Sequence, residues 1–190
     1  MNPVVLTARL NVGRLSRADV EKMVGELLDS PQCVKVLLEE ILNGGREGHF
    51  HASWVLDRLM RRKLEYLLPH IEEFTLLLPQ LKNESCIRCL SHICEMLCTA
   101  PFEKDGDRYR QGIDQGQWER ILTVCYDWLI APMGIAPKVF AMTSLYHLGL
   151  KFPWVHPELK AVLEDSYAKG SSGYQNRAKK TLGLLARTAP

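Results

Sequence analysis

The stretch that decides the fold is "ASWVLDRL", residues 52–59, in which a small residue is followed by leucines four and seven positions later. Positions i, i+4 and i+7 share one face of an α-helix, and a small residue on that face lets a second helix approach closely. The pattern returns as "CLSHICEM" at 89–96, "AMTSLYHL" at 141–148 and "AKKTLGLL" at 178–185. We therefore expect four helices of one kind, each packed through the same face.

Three prolines lie at a nearly constant distance in the sequence before the small residues of these helices. Pro31, Pro69 and Pro157 each lie about 20 or 21 residues before one of the small residues. Each opens a segment with helical apolar periodicity, where the missing N–H of proline costs no hydrogen bond and its fixed φ favours the first turn. The prolines therefore indicate a first helix ahead of each of these three second helices.

The spacing of the small residues indicates a repeat. Ala52 to Cys89 and Ala141 to Ala178 are each roughly 37 residues, the length of a two-helix repeat. From Cys89 to Ala141 the separation is about 15 residues longer, and the excess falls on the polar, glycine-containing segment 99–114. We interpret that segment as an inter-repeat loop.

The sequence predicts an all-α protein. Ser16, with Asp19 three residues later, predicts the start of a capping helix at 16–29. No β-branched run alternates between turn residues, so no strand is expected. Four helical hairpins are predicted after the capping helix, at 31–43 with 47–62, 66–81 with 83–98, 116–130 with 135–151, and 156–169 with 172–187.

This pattern resembles HEAT-like (armadillo-type) α-solenoids over roughly residues 31–187. It is also similar to short bacterial HEAT-like proteins that end in "GSxGxxxRAxKxL". The resemblance implies a right-handed α-α superhelix that forms a single domain over residues 1–190, with residues 1–30 as an N-terminal segment and capping helix.

Composition limits the classes of function. With 46% hydrophobic and 24% charged residues, the chain has the composition of a soluble globular protein. A net charge of +2 at pH 7 disfavours a dedicated nucleic-acid domain, whose phosphate contacts need a stronger basic excess. The sequence shows neither a signal peptide nor a membrane-spanning apolar stretch, so we expect a cytoplasmic protein whose six cysteines are reduced and which has no membrane partner.

One segment resembles a catalytic loop. "GSSGYQNRAKK", residues 170–180, is similar to the mobile serine loop G-S-S-x-M-x-x-K-x-N of the fumarase and adenylosuccinate lyase superfamily. The methionine, lysine and asparagine of that signature are Tyr174, Arg177 and Lys179 here. The match fails at three positions, so we reject a lyase function for this loop.

A structural interpretation accounts for the same residues. We expect Gly170 to end one helix in the left-handed region, where glycine has no steric cost. Ser172 would then be the N-cap of the last helix, with Gln175 at N3 completing a capping box. In this interpretation the Gly170-Ser171-Ser172 stretch is a bend between two helices.

Cysteine and histidine pairs suggest a metal site, but their spacing argues against one. At 100° per residue, Cys89 and Cys98 point to opposite sides of a helix, so the four cysteines Cys86, Cys89, Cys94 and Cys98 cannot converge on one ion, although two of them with an outside ligand could. His49 and His51 diverge by about 200° in a helix and are interpreted as surface or first-turn histidines. We expect neither a metal nor another cofactor.

The leading hypothesis for function is a non-enzymatic binding or scaffold module. In HEAT-like solenoids the second helices line the concave face, and the resemblance implies that this face binds a protein or peptide. The residues expected on it are Trp54, Arg58, Arg88, His147 and Arg177. The sequence leaves open whether the chain is a monomer or a homodimer.

The alternative hypothesis is a DNA-acting enzyme that resembles the HEAT-like alkylpurine DNA glycosylases. Those enzymes line a concave groove with tryptophans, an aspartate and basic residues, and the candidates here are Trp54, Arg58, Asp127 and Trp128. The small net charge and the position of Trp128 in an apolar helical pattern both weigh against it.

Overall fold

A computed structural model describes residues 1–44 and 46–188 of the chain, and within this part the chain is helical with no β-strand. The prediction of an all-α protein is confirmed for these residues. The described residues form eleven α-helices: α1 Pro3–Leu10, α2 Arg17–Leu27, α3 Cys33–Asn43, α4 Arg46–Met60, α5 Ile71–Leu77, α6 Glu84–Thr99, α7 Asp107–Gly112, α8 Gln115–Ile130, α9 Ile135–Gly149, α10 Val155–Ser166 and α11 Ser172–Thr188. None of the described helices combines the length and hydrophobicity needed to cross a membrane.

The predicted capping helix is present as α2. Ser16 Oγ accepts the Asp19 N–H, and the Asp19 carboxylate accepts the Ser16 N–H, which completes a capping box. These bonds satisfy two of the backbone donors that every helix start leaves open. The helix starts one residue after Ser16, as the sequence predicts.

The first helix of the second predicted hairpin is broken into three pieces. A 3₁₀ turn at Leu64–His70 precedes α5, and a second 3₁₀ turn at Leu78–Gln80 follows it. Pro69 and Pro79 lie in these two turns, and each lacks the N–H that a continuous helix would need at that position. The single helix predicted for 66–81 was wrong for this reason.

Two helices were missed. Segment 99–114, interpreted as a loop, contains the 3₁₀ turn Ala100–Phe102 and the helix α7. The N-terminal helix α1 begins after Asn2, whose side chain accepts the Val4 N–H, and it buries Leu6 and Leu10 completely. Helix α1 packs on α3 and α4, so the N-terminal segment contributes to the core.

The small residues face neighbouring helices, as predicted. Ala52, Ala141 and Ala178 are fully buried, and Cys89 is 9% exposed. Their helices contact one another in chain order, because α4 packs on α6, α6 on α9, and α9 on α11. Helix α3 packs on α4, while α8 and α10 pack on α9. One hydrophobic cluster extends through these contacts from α1 to α11.

The bend at the start of α11 differs from its prediction. Gly170 has φ −80° and ψ 152°, which is extended backbone and not the left-handed region. A Cβ on Gly170 would lie 2.3 Å from the Tyr174 ring, so this position is restricted to glycine by a close side-chain approach. The cap is Ser171, whose Oγ accepts the Tyr174 N–H at 3.4 Å, and the predicted capping box of Ser172 and Gln175 is wrong.

Candidate functional site

Three of the five candidate residues lie together in one cavity between α4 and α6. Trp54, Arg58 and Arg88 line it, and its volume is about 290 Å³. We call it the arginine cavity. Its lining residues are Phe50, Trp54, Asp57, Arg58, Arg61, Ser85, Arg88, Cys89, His92 and Phe140.

Helical spacing explains why these side chains share a face. Trp54 and Arg58 stand at i and i+4 on α4, Arg61 follows the last residue of α4 at i+7, and Arg88 and His92 stand at i and i+4 on α6. At 100° per residue the first set lies on roughly the opposite side of its helix from Ala52, whereas Arg88 and His92 lie within about 100° of Cys89. Because α4 packs on α6, the two polar sets meet in one cavity.

Asp57 is the buried centre of the cavity and is only 4% exposed. His92 Nδ1 donates to Asp57 Oδ1 at 2.5 Å, and this bond joins α6 to α4. Arg61 donates to Asp57 Oδ2 through Nε at 3.1 Å and Nη2 at 2.9 Å. A buried carboxylate needs such partners because its desolvation would otherwise be costly.

Sequence reasoning missed both Asp57 and the role of His92. The one local signal is the i, i+4 spacing of Asp57 and Arg61 on α4, which favours an ion pair. Nothing local indicates His92 as the second partner, since the two residues are separated by 35 positions.

Aromatic rings form the apolar walls of the arginine cavity. The rings of Phe50 and Trp54 stack with centroids 5.7 Å apart and an interplanar angle of 23°. Phe140 of α9 packs against the His92 ring at 4.8 Å. Trp54 is half-buried, so one part of its ring remains available to a ligand.

The thiol in this cavity is not activated. Burial, together with the negative charge of Asp57, raises the pKa of Cys89 to about 12. The thiolate is the nucleophilic form of cysteine, so Cys89 remains a protonated thiol near neutral pH.

Cysteines and histidines do not assemble a metal centre in the described part of the chain. No group of three or more His, Cys, Asp or Glu residues is placed to hold an ion in residues 1–44 and 46–188. All six cysteines are buried. His49 Nδ1 is bonded to the Ile41 carbonyl at 2.7 Å and His51 Nδ1 to the Leu10 carbonyl at 2.9 Å. His51 is 2% exposed, so its interpretation as a surface histidine was wrong.

His147 lies in a different cavity. That cavity has a volume of about 340 Å³ and is lined in part by Phe102, Trp118 and Arg110. Burial lowers the pKa of His147, and the nearby Glu95 carboxylate opposes this shift. The imidazole Nδ1 is buried and has no hydrogen-bond partner among the described residues. The structure therefore separates His147 from the arginine cavity.

Arg177 is bonded to other side chains and does not line the arginine cavity. Its Nη1 donates to Glu95 Oε1 at 2.7 Å and also to the Thr143 hydroxyl. Through these bonds α11 is connected to α6 and α9. The Nη1 group of Arg177 thus already has partners within the fold.

The four glycosylase candidates are not brought together. Neither Asp127 nor Trp128 lines the arginine cavity with Trp54 and Arg58. Both belong to α8, where Trp128 is 5% exposed in the hydrophobic core and Asp127 is exposed. The grouping of these four residues was wrong, because Trp128 serves packing.

The serine loop borders a cleft with a volume of about 640 Å³. The residues that line this cleft include Ile135, Tyr174, Gly170 and Ser171. The Ser171 hydroxyl caps α11, and Tyr174 OH is hydrogen-bonded to Ser166 at 2.6 Å. These serine and tyrosine hydroxyls therefore have structural partners.

Comparisons with known proteins give no relative. No family model matches the chain, and neither the curated proteins nor the solved structures yield a match.

Proposed function

We propose that this chain is a short HEAT-like solenoid, a right-handed superhelix that acts as a non-enzymatic binding module. Its ligand is a protein or peptide held on the face formed by α4, α6, α9 and α11. The contacts of these four helices in chain order support the solenoid, and α3, α8 and α10 each pack on one of them.

The observation that carries the proposal is the arginine cavity. It combines aromatic walls with arginine side chains, and Trp and Arg are the residues most enriched at the energetic centres of protein interfaces. Asp57 and His92 are bonded to each other, and the Cys89 thiol is protonated. These features favour binding over covalent catalysis.

Selection from a displayed peptide library tests this function. We expect the wild-type chain to enrich peptides that bind at physiological salt, about 0.15 M. Trp54→Ala should lower the affinity for a selected synthetic peptide about tenfold or more, as expected for the loss of an aromatic anchor at an interface. Arg108→Ala on α7 is the matched control, because Arg108 is exposed and lies outside the cavity.

The result that would contradict the proposal is equally direct. If the wild type enriches no peptide above the background of Trp54→Ala, this face does not bind peptides. Equal weakening by Arg108→Ala would mean that binding is a general charge effect and does not depend on the cavity.

A second candidate, a DNA-acting enzyme resembling alkylpurine DNA glycosylases, is favoured by one observation. Trp54 and the buried Asp57 share the cavity with three arginines. This candidate predicts release of alkylated bases from duplex DNA, abolished by Asp57→Asn, and DNA affinity that falls steeply with salt. Binding that is independent of salt, or no base release, would exclude it.

A further inference from the structure

Two arginines in the arginine cavity have hydrogen-bond donors that no described residue uses. Arg58 Nε is buried and has no acceptor in the described part of the chain. Its Nη1 lies 3.6 Å from Glu21 Oε1, too far for a hydrogen bond, and Glu21 instead accepts a bond from Arg62 at 2.7 Å. Arg88 is exposed and forms no ion pair with any residue whose side chain the structure describes, which leaves out Arg46 and Glu47. A buried donor without an acceptor is costly. The Arg58 side chain as a whole is 25% exposed, so part of it is open to an external anion although Nε itself is buried.

The cavity has an excess of positive charge. Its lining includes three arginines and one carboxylate, and Arg61 already pairs with that carboxylate, Asp57. Of the other two arginines, Arg58 lies 3.6 Å from Glu21, a carboxylate outside the lining that is bonded to Arg62. The lining therefore has an excess of positive charge, three minus one, which Glu21 offsets in part, and this excess favours an anionic ligand group.

His92 provides a further polar group. Its Nδ1 is held by Asp57, which leaves Nε2 as the ring nitrogen without a partner among the described residues. An anion in the cavity thus meets guanidinium donors beside this ring.

Size and wall chemistry restrict the ligand further. A volume of about 290 Å³ is at the lower limit of ligand pockets, so the cavity fits one side chain or a small group and not a dinucleotide. Phe50 and Trp54 supply flat apolar surface beside the arginines. These walls suit a planar ring that carries the anionic group.

We infer that the arginine cavity binds a phosphate monoester carried on an aromatic ring, as in a phosphorylated tyrosine side chain of a peptide partner. A phosphate monoester carries about −1.5 to −2 charges at pH 7 and three acceptor oxygens, which suit forked guanidinium donors. This inference rests on the proposed peptide-binding function and specifies the chemistry of its ligand.

Calorimetric titration of the full chain tests the inference with defined probes. The probes are phenyl phosphate, inorganic phosphate, a phosphotyrosine peptide and the same peptide without phosphate. We expect phenyl phosphate to bind, and the phosphotyrosine peptide to bind more tightly than its unphosphorylated form. In NMR spectra the Nε–H signal of Arg58 should shift on addition of phenyl phosphate, because the guanidinium to which this N–H belongs gains an anionic neighbour.

Substitutions of the exposed residue Arg88 test whether its guanidinium contributes to phosphate binding. Arg88→Ala should weaken phenyl phosphate binding by roughly tenfold or more, the loss of one charge-assisted hydrogen bond. Arg88→Lys keeps the charge but loses the planar fork, so we expect an intermediate affinity. Arg108→Ala should leave the affinity unchanged.

Each contrary outcome identifies what fails. If phenyl phosphate gives neither heat nor a shift of the Arg58 signal while an unphosphorylated peptide binds, the phosphate site is refuted and the peptide function remains. If inorganic phosphate binds as tightly as phenyl phosphate, the aromatic carrier is refuted. If phenyl phosphate binds but the phosphotyrosine peptide binds no better, the peptide source of the phosphate is refuted.

Discussion

Asp57→Ala removes the carboxylate that joins α4 to α6 in the arginine cavity. The side chain is buried and accepts one bond from His92 and two from Arg61. A hydrogen bond to a charged group contributes about 1.5 to 3 kcal/mol, and this range applies to the well-buried His92. Arg61 is 44% exposed and can be resolvated, so its ion pair adds at most about 1 kcal/mol. We expect the free energy of unfolding to fall by about 2 to 4 kcal/mol.

Urea unfolding followed by circular dichroism measures this change. Asp57→Asn keeps an acceptor oxygen for His92 and should therefore cost less than Asp57→Ala. Asp127→Ala is the matched control, because Asp127, like Asp57, lies three residues before the end of its helix but is exposed, and it should change stability by less than about 0.5 kcal/mol.

A double-mutant cycle with His92→Ala isolates the bond between the two helices. We expect a coupling free energy of at least about 1 kcal/mol between Asp57 and His92. If Asp57→Ala costs no more than Asp127→Ala, or if the coupling is zero, the buried carboxylate does not connect α4 to α6 energetically.

The other parts of the structure give three shorter predictions. Ser171→Ala should lower the stability by about 0.5 to 1 kcal/mol, whereas Ser172→Ala should leave the urea midpoint nearly unchanged, since only Ser171 caps α11. Burial lowers the pKa of His147 below its ordinary 6.5, so the unfolded chain binds a proton that the native chain does not, and stability should fall as pH drops through 6.5. His147→Phe should reduce this pH dependence of the urea midpoint. An unchanged pH dependence would mean that a group other than His147 takes up the proton on unfolding. Because burial raises the pKa of Cys89 to about 12 and all six cysteines are buried, a thiol reagent should label none in the native protein and all six in urea, and fast native labelling would contradict this.

The positions of most helices could be predicted because their signals are local. A small residue with apolar partners at +4 and +7 specifies a face within eight residues, and the four small residues are indeed buried. A capping box such as Ser16 with Asp19 marks a helix start within four residues. Signals that span no more than about eight residues can be recognised in the sequence without knowledge of the tertiary structure.

The backbone conformation of the bend before α11 could not be predicted, because it depends on how closely a side chain approaches Gly170. The sequence is equally consistent with two reasons for a glycine at position 170: a left-handed backbone, or an aromatic ring too close for a Cβ atom. The Tyr174 ring over Gly170 decides between them, and it also leaves Ser171 as the cap. The sequence correctly predicted a bend between the two helices, but it assigned the helix cap to Ser172, whereas the cap is Ser171.

The candidate site shows the same limit at longer range. The repeat pattern placed Trp54, Arg58 and Arg88 on one type of helix face, and these three do share a cavity. It could not tell that His92 would meet Asp57, because this pair depends on how two helices pack. Which groups share a face is a local property, whereas which groups meet is not.

Arg88 and Arg177 occupy the same position of the repeat, one residue before the small residue of their helix, yet their charges have different roles. Arg177 reaches Glu95 and Thr143, whereas Arg88 has no ion-pair partner among the described residues. The Arg177 side chain is 32% exposed and Glu95 17% exposed, so Arg177→Ala should destabilise the chain by about 1 to 2 kcal/mol in urea unfolding. Arg88→Ala should change stability by less than about 0.5 kcal/mol and act on ligand binding alone. If the two variants destabilise equally, Arg88 has a structural partner, and the proposed binding site loses the positive charge on which it depends.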